Sequence, residues 1–284
     1  MKIFTNKKNL FMLLPLIICF TGCNRYYFKT VMYPNKSFKV FTRIISDSQV
    51  NYSGSEETMA KFKYSGIKLP MIMHSYRADE ESVKTGSLRS DSSFEVSMKF
   101  DYDSSLTIRN GDTLNTKHQS LAGLKMVCVY TKDHKMTGIE VIGNKLPDNL
   151  KQEIAKMAED MYKKIKYPKK PLKIGDTFTQ YIPTQIPLGS YPPIDMKIEV
   201  TYKLMKVDEH RAYFNTVTKM SLIDSLGTIK INLKGRGTGN SIHDLQKNFA
   251  IEHNSEMTLK EVITTNVFKT IVTSKSKTYY NVVE

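Results

Sequence analysis

Six histidines, His74, His118, His134, His210, His243 and His253, are scattered along the chain. A zinc hydrolase needs two imidazoles one helical turn apart with a glutamate between them, so that both face one ion. No two of the six are so spaced, and they read as structural or solvent-facing; no metal site is expected. A serine hydrolase of the α/β type needs a strand-to-helix elbow, G-x-S-x-G, to expose its nucleophile. The nearest text, "YSGSEE" at Tyr52–Glu57, lacks that frame. "GRGTGN", with Gly235, Gly237 and Gly239, lies between two strand-like stretches, with no helix N-terminus to hold a phosphate. Its glycines are expected to let a long strand bend or bulge. Asp101 and Asp103 form a carboxylate pair of the kind a glycosidase uses, but they sit near a strand end where charge is ordinary. The chain has no tryptophan, whose flat face sugar sites commonly use. No enzyme signature emerges, no catalytic residue is assigned, and no cofactor is implied.

The three cysteines are more informative. An eleven-residue apolar run, Leu10 to Phe20, is preceded by Lys2, Lys7 and Lys8 and followed by Thr21-Gly22-Cys23. It is too short to span a bilayer as a helix, which takes about 20 residues. A basic start, a short apolar centre and small residues at the exit is the layout of a secretory signal peptide. Phe20-Thr21-Gly22-Cys23 resembles the lipobox of bacterial lipoproteins, although Phe20 stands where that pattern usually has leucine. The resemblance implies cleavage before Cys23, acylation of Cys23, and a protein anchored to the membrane without crossing it. Asn24 stands where inner-membrane lipoproteins often carry aspartate, so the resemblance also favours the outer membrane of the cell envelope. Removal of Cys19 with the signal and acylation of Cys23 leave Cys128 alone, and no intramolecular disulfide can form. In "LKMVCVYT" it alternates with Leu124, Met126 and Tyr130, as a small buried hydrophobe would.

Cleavage removes three lysines and no acids, lowering the formal charge from +14 to +11. Basic proteins can neutralise nucleic-acid phosphates, but a secreted chain seldom meets them. Lipid headgroups or acidic polysaccharide are the better-suited partners, or the charge serves solubility alone.

What positions these residues is mostly β structure. "FEVSMKFDY" sets Phe94, Val96, Met98, Phe100 and Tyr102 on one side of an extended chain; "MKIEVTYKLMKV" and "IKINLK" repeat the alternation. Asn110-Gly111, "TKDHKMTG" and "DSLG" mark reversals, so the pairing is antiparallel. One long helix is predicted, over 148–166, from the recurrence of Leu150, Ile154, Met157, Met161 and Ile165, with Asp148 as its N-cap. The acidic, serine-rich stretch Arg77–Ser93 reads as a surface loop. Six of the ten prolines fall between Pro168 and Pro193, so 169–194 reads as an extended connection that cannot be a central strand.

The expected organisation is a signal peptide over 1–22, a tether over 23–36, an N-terminal β-rich half over 37–168, the proline-rich connection, and a C-terminal antiparallel meander over 195–284. The fold class is α+β, mainly β: a long meander whose curved sheet packs on one central amphipathic helix. This order of elements, with the lipobox, resembles the lipoprotein-carrier and lipoprotein-receptor half-barrels of the bacterial envelope and other curved-sheet lipid-binding folds. The resemblance carries no binding residues. Methionines such as Met98 and Met196 fall on apolar strand faces, where flexible thioethers fill a core or line a cavity for varied apolar ligands. The expectation is a non-enzymatic membrane-anchored lipoprotein that binds lipid or another apolar ligand. The alternative is a structural or assembly lipoprotein presenting a sheet surface to envelope protein partners.

Overall fold

The computed structural model describes residues 25–29, 31–114, 121–143, 146–164, 167–188, 191–226 and 228–284. The signal-like segment, Cys23 and His118 lie outside the described residues. The elements are β1 (Ser37–Gly54), α1 (Glu56–Tyr64), β2 (Met71–Thr85), β3 (Phe94–Arg109), β4 (Asp112–Leu114), β5 (Lys125–Tyr130), β6 (Met136–Ile142), α2 (Asp148–Lys164), β7 (Thr177–Leu188), β8 (Tyr191–Asp208), β9 (Arg211–Leu226), β10 (Ile229–Asp244), β11 (Phe249–Thr264) and β12 (Phe268–Val283). The strands form one antiparallel sheet in the order β6-β5-β3-β2-β1-β12-β11-β10-β9-β8-β7, with the short β4 on β3. β1 joins the two halves by pairing with β12 from Lys39 to Gly54. Among the described residues the chain is mainly β, as its alternation predicts, with two helices where the periodicity predicts one.

The sheet bends. Eleven strands side by side at about 4.8 Å would span roughly 48 Å if flat, whereas the 17-residue α2 is about 25 Å long. α2 nonetheless touches both β6 and β7, the two margins of the sheet. The margins must therefore curl towards each other, with the helix bridging the gap between them. Leu150, Ile154 and Ala155 of α2 pack on Leu124, Val141 and Leu146. Asp148, expected as the N-cap, is instead the first helical residue, its carboxylate accepting the Lys151 ammonium at 2.9 Å, and Pro147 before it supplies the first carbonyl. α1, which the alternation does not reveal, begins with Ser55 of "YSGSEE" as its N-cap, the hydroxyl accepting the Thr58 amide at 3.3 Å.

Four expectations need correction. The proline-rich stretch is not a free connection, because Thr177–Leu188 forms β7 and 191–194 opens β8. Pro183 and Pro187 are tolerated because β7 is the last strand of the sheet, where one row of amides has no ladder partner to lose. Pro192 and Pro193 precede the part of β8 that pairs with β9, which begins at Lys197. The acidic loop is shorter than its composition implies: residues 77–85 continue β2, and only 86–93 form the turn. Strand β3 is unbroken, but its register against β2 shifts at Glu80/Glu81. That bulge turns Tyr102 outward, away from the side occupied by Phe100, and brings Asp103 in. Finally, the expected tether packs as a strap across one end of the concave face. Tyr26 bridges Leu172, Phe28 and Val31 are buried, and the Val31 amide donates to the Asn248 carbonyl at 3.2 Å. Farther along, the Tyr33 carbonyl accepts the Thr85 hydroxyl at 2.6 Å.

Candidate functional site

Alternation along each strand divides the sheet into a concave and a convex face, and the inward set can be followed across the ladder. Val40 stands opposite Val282 and Glu81, Val83 opposite Met98, and Val96 opposite Cys128. Beneath the strap most of these inward residues are apolar, with Glu81 among the exceptions. Val40, Val83, Phe94, Val96, Met98, Cys128, Tyr130 and Met136 form one core cluster, and Phe28, Leu172, Leu204, Ala212 and Phe214 form another.

Between the two clusters the packing is incomplete. A cavity of about 460 Å³ is lined by Met32, Phe38, Val40, Val83, Met98 and Phe249, together with the charged Lys36, Glu81, Lys247 and Glu284. A second, of about 390 Å³, is lined by Phe28, Phe178, Tyr202, Phe214 and His243. Phe249 and Tyr280 line both, so the two hollows adjoin at these residues. Aromatic rings give the second cavity firm walls: Phe178 stacks on Tyr202 at 4.8 Å between centroids, and Phe28 meets His243 edge-on at 5.5 Å.

Burial dominates the electrostatics of the titratable groups in both cavities. Burial pushes His243 down to about 4, only partly opposed by Asp244, and the ring is therefore neutral near pH 7. Its Nε2 is buried with no hydrogen-bond partner among the described residues. Burial also lowers His253 and raises Tyr202 and Tyr280 to about 12 each. In the first cavity, burial and then the neighbouring Asp79 hold the Glu81 carboxyl above its usual range, against the pull of Arg77. Farther from the strap the concave face becomes polar. The Ser274 hydroxyl meets those of Ser46 and Ser48, each at 3.0 Å, on the neighbouring strand.

Of the residues singled out from sequence, Cys128 is buried and its thiol is pushed up to about 11 by burial, with Glu95 adding to the shift. It is an inert core thiol. Asp101 and Asp103 do not share a site: Asp101 binds Ser82 and Lys99 outside, while Asp103 is buried and accepts the Leu121 amide at 2.8 Å. The partner the bulge gives Asp103 is Asp79, directly opposite on β2. Gly235, Gly237 and Gly239 all face inward, and a Cβ at Gly237 or Gly239 would collide with the β11 carbonyls of Glu256 or Asn254. They allow β11 to approach, and the β10–β11 register shifts just beyond them, at Ile242/His243. Sequence reasoning missed His243 and His253 as cavity residues. The available signal was parity, because His243 falls on the same side of β10 as Ile231 and Leu233.

Hollows on the convex face are of another kind. The one beside Phe41, Arg43, Tyr102 and Tyr279, of about 570 Å³, is an open groove between solvent-facing side chains. Among the described residues no group of three or more His, Cys, Asp or Glu could hold a metal ion, and no helix is long and apolar enough to cross a membrane.

No protein-family model matches the chain, and no curated protein matches it. Among solved structures it is aligned with the enduracididine biosynthesis enzyme MppR complexed with the condensation product of pyruvate and imidazole 4-carboxaldehyde. The identity is 6%, the alignment covers 88% of this chain and 90% of that one, and the TM-score is 0.09. At that TM-score the likeness bears on neither fold nor function.

Proposed function

We propose that this chain is an envelope lipoprotein, non-enzymatic, anchored through acyl chains on Cys23, that holds a lipid or another largely apolar ligand on the concave face beneath its N-terminal strap. The observation that carries the reading is the pair of adjoining cavities meeting at Phe249 and Tyr280. Small-molecule sites are concave, mostly apolar, and fixed by a few placed polar groups. Here the polar group is neutral His243, whose unpartnered nitrogen offers a ligand a hydrogen bond. The lipobox-like Phe20-Thr21-Gly22-Cys23 supports the anchor, and the curved open sheet suits the lipoprotein-carrier resemblance, which is an analogy of fold only.

Two measurements test it. Labelling with a palmitate analogue should mark the wild type and not Cys23→Ser; equal labelling of both removes the anchor from the proposal. Native mass spectrometry of the mature protein should show bound lipid that solvent extraction removes. Protein that is always empty, and that binds no fluorescent fatty-acid probe, removes the ligand.

A second reading has one specific observation in its favour. On the convex face Ile45, Tyr76 and Leu106 stand opposite one another across three strands, and each is exposed. Such a row fits the alternative of an assembly lipoprotein whose sheet surface meets a protein partner. An empty, ligand-free chain whose convex row is covered in a native complex would favour it.

A further inference from the structure

The strap begins at a charged junction. Tyr26 and Leu172 exchange both backbone hydrogen bonds, at 2.8 Å each, as an isolated antiparallel bridge. Arg25 therefore stands across the bridge from Lys173. Like charges directly opposite on paired strands repel, and more follow, because Lys29, Lys169 and Lys170 lie on the same two segments and all three are exposed. Against these five cations, the segments 25–29 and 167–176 contain one carboxylate, Asp176. It accepts the Lys173 backbone amide at 2.8 Å. Of the acids on the adjoining strand ends, Asp208 is paired with Lys206 at 2.7 Å and Asp244 accepts the Gln246 and Lys247 backbone amides, so the two bridged segments keep an excess of positive charge that an external anion would relieve.

Apolar side chains project from the same place. Tyr27 is 68% exposed and Ile174 is 59% exposed, one on each side of the bridge. Aromatic and aliphatic groups among lysines are the pattern of a surface that enters the headgroup layer of a bilayer. The covalent chain adds a distance limit. Cys23 is two Cα steps from Arg25, so the two cannot be more than about 7 Å apart.

We propose that this bridged, basic end of the sheet lies directly on an anionic bilayer surface, with Tyr27 and Ile174 in the headgroup region and α1 pointing away. The orientation rests on the acyl anchor proposed for Cys23; the preference for anionic lipid rests on the charge. The surface potential of anionic lipid attracts basic groups and fades within a Debye length.

The absence of tryptophan makes the test clean. Tyr27→Trp, Ile174→Trp and Tyr64→Trp, the last on α1, are each the sole indole of the full chain. Each is mixed with phosphatidylglycerol or phosphatidylcholine vesicles carrying brominated lipid, and flotation and quenching are read together. The expected result is flotation with both lipids. Quenching should be strong at positions 27 and 174, deeper with phosphatidylglycerol, and absent at position 64. The substitutions K169Q, K170Q and K173Q together should weaken binding of the Cys23→Ser chain to phosphatidylglycerol about 100-fold, at roughly fivefold per lysine. Flotation with quenching equal at all three positions, or absent at 27 and 174, overturns the docked orientation while leaving the anchor. Flotation on phosphatidylglycerol alone, with positions 27 and 174 quenched, retains the docking surface and overturns the anchor. No flotation with either lipid overturns both.

Discussion

Phe28 meets Phe214 edge to face, with ring centroids 5.0 Å apart, and this contact fixes the strap to the beginning of β9. Phe28 is 4% exposed although it lies in a segment with no regular secondary structure. An extended segment pays conformational entropy for its order and recovers it through such buried anchors.

Truncating that anchor should therefore be costly. Phe28→Ala removes a buried ring from between Phe214 and His243 and should cost about 3–5 kcal/mol, with a clear fall in Tm. Phe28→Leu, which keeps most of the volume, should fall much less. A Phe28→Ala protein that melts with the wild type would show that the strap contributes nothing to the fold.

His243 predicts a pH dependence. Its native pKa is about 4, against an ordinary value of 6.5. Between these values the unfolded state binds more protons than the native state, and native stability therefore falls as pH drops through that window and is fully present above it. Some 2.5 pH units correspond to roughly 3 kcal/mol. Urea unfolding at pH 7 and pH 4 should show most of this difference in the wild type, with His253 adding in the same direction. His243→Phe should flatten the slope. An unchanged slope in that variant would place the responsible protons elsewhere.

The helix is tested by two substitutions on opposite faces. Ile154 packs on the cluster of Leu124, Val141 and Leu146, whereas Lys156 is exposed. Ile154→Asp buries an unpaired carboxylate and should cost several kcal/mol; Lys156→Asp should cost under about 1 kcal/mol. Equal melting temperatures would mean that α2 does not hold the margins of the sheet.

These contrasts separate what the chain spells out from what it conceals. Period-two alternation exposes β3 and β8 because one face of each is buried, and Phe94, Val96 and Met98 sit where the pattern puts them. The second half of β2 is hidden because its inward positions include Asp79 and Glu81, carboxylates held inside the sheet beside Arg77. A rule that reads charge as surface reads these residues as loop. β7 is hidden for a different reason: proline forbids a central strand, but the last strand of a sheet tolerates it. The strap has no period at all, and Phe28 and Val31 become core residues only because the sheet curls around them. The second cavity takes Phe249, Tyr280 and His243 from three adjacent strands, β11, β12 and β10, and Phe28 from the strap. No local signal in any one strand encodes it.

The cavity itself is tested by filling it. Met98 lines the hollow of about 460 Å³, and Ala250 lines the adjoining hollow of about 390 Å³. If both hollows receive ligand, Met98→Trp and Ala250→Phe place the added atoms in space that the core does not use. Each should then cut binding of a fluorescent fatty-acid probe severalfold while leaving Tm within a few degrees. In a closed core the same added volume would strain the packing, at a cost of about 1–3 kcal/mol. Met98 also belongs to the core cluster with Val96 and Cys128, so Ala250→Phe is the more discriminating change: its β11 neighbour Phe249 lines both hollows, and blocking there should separate them. Probe binding and thermal unfolding measured on the same samples decide between the two cases. Lost stability with unchanged probe affinity would show that ligand, if bound, does not enter between Phe249 and Tyr280.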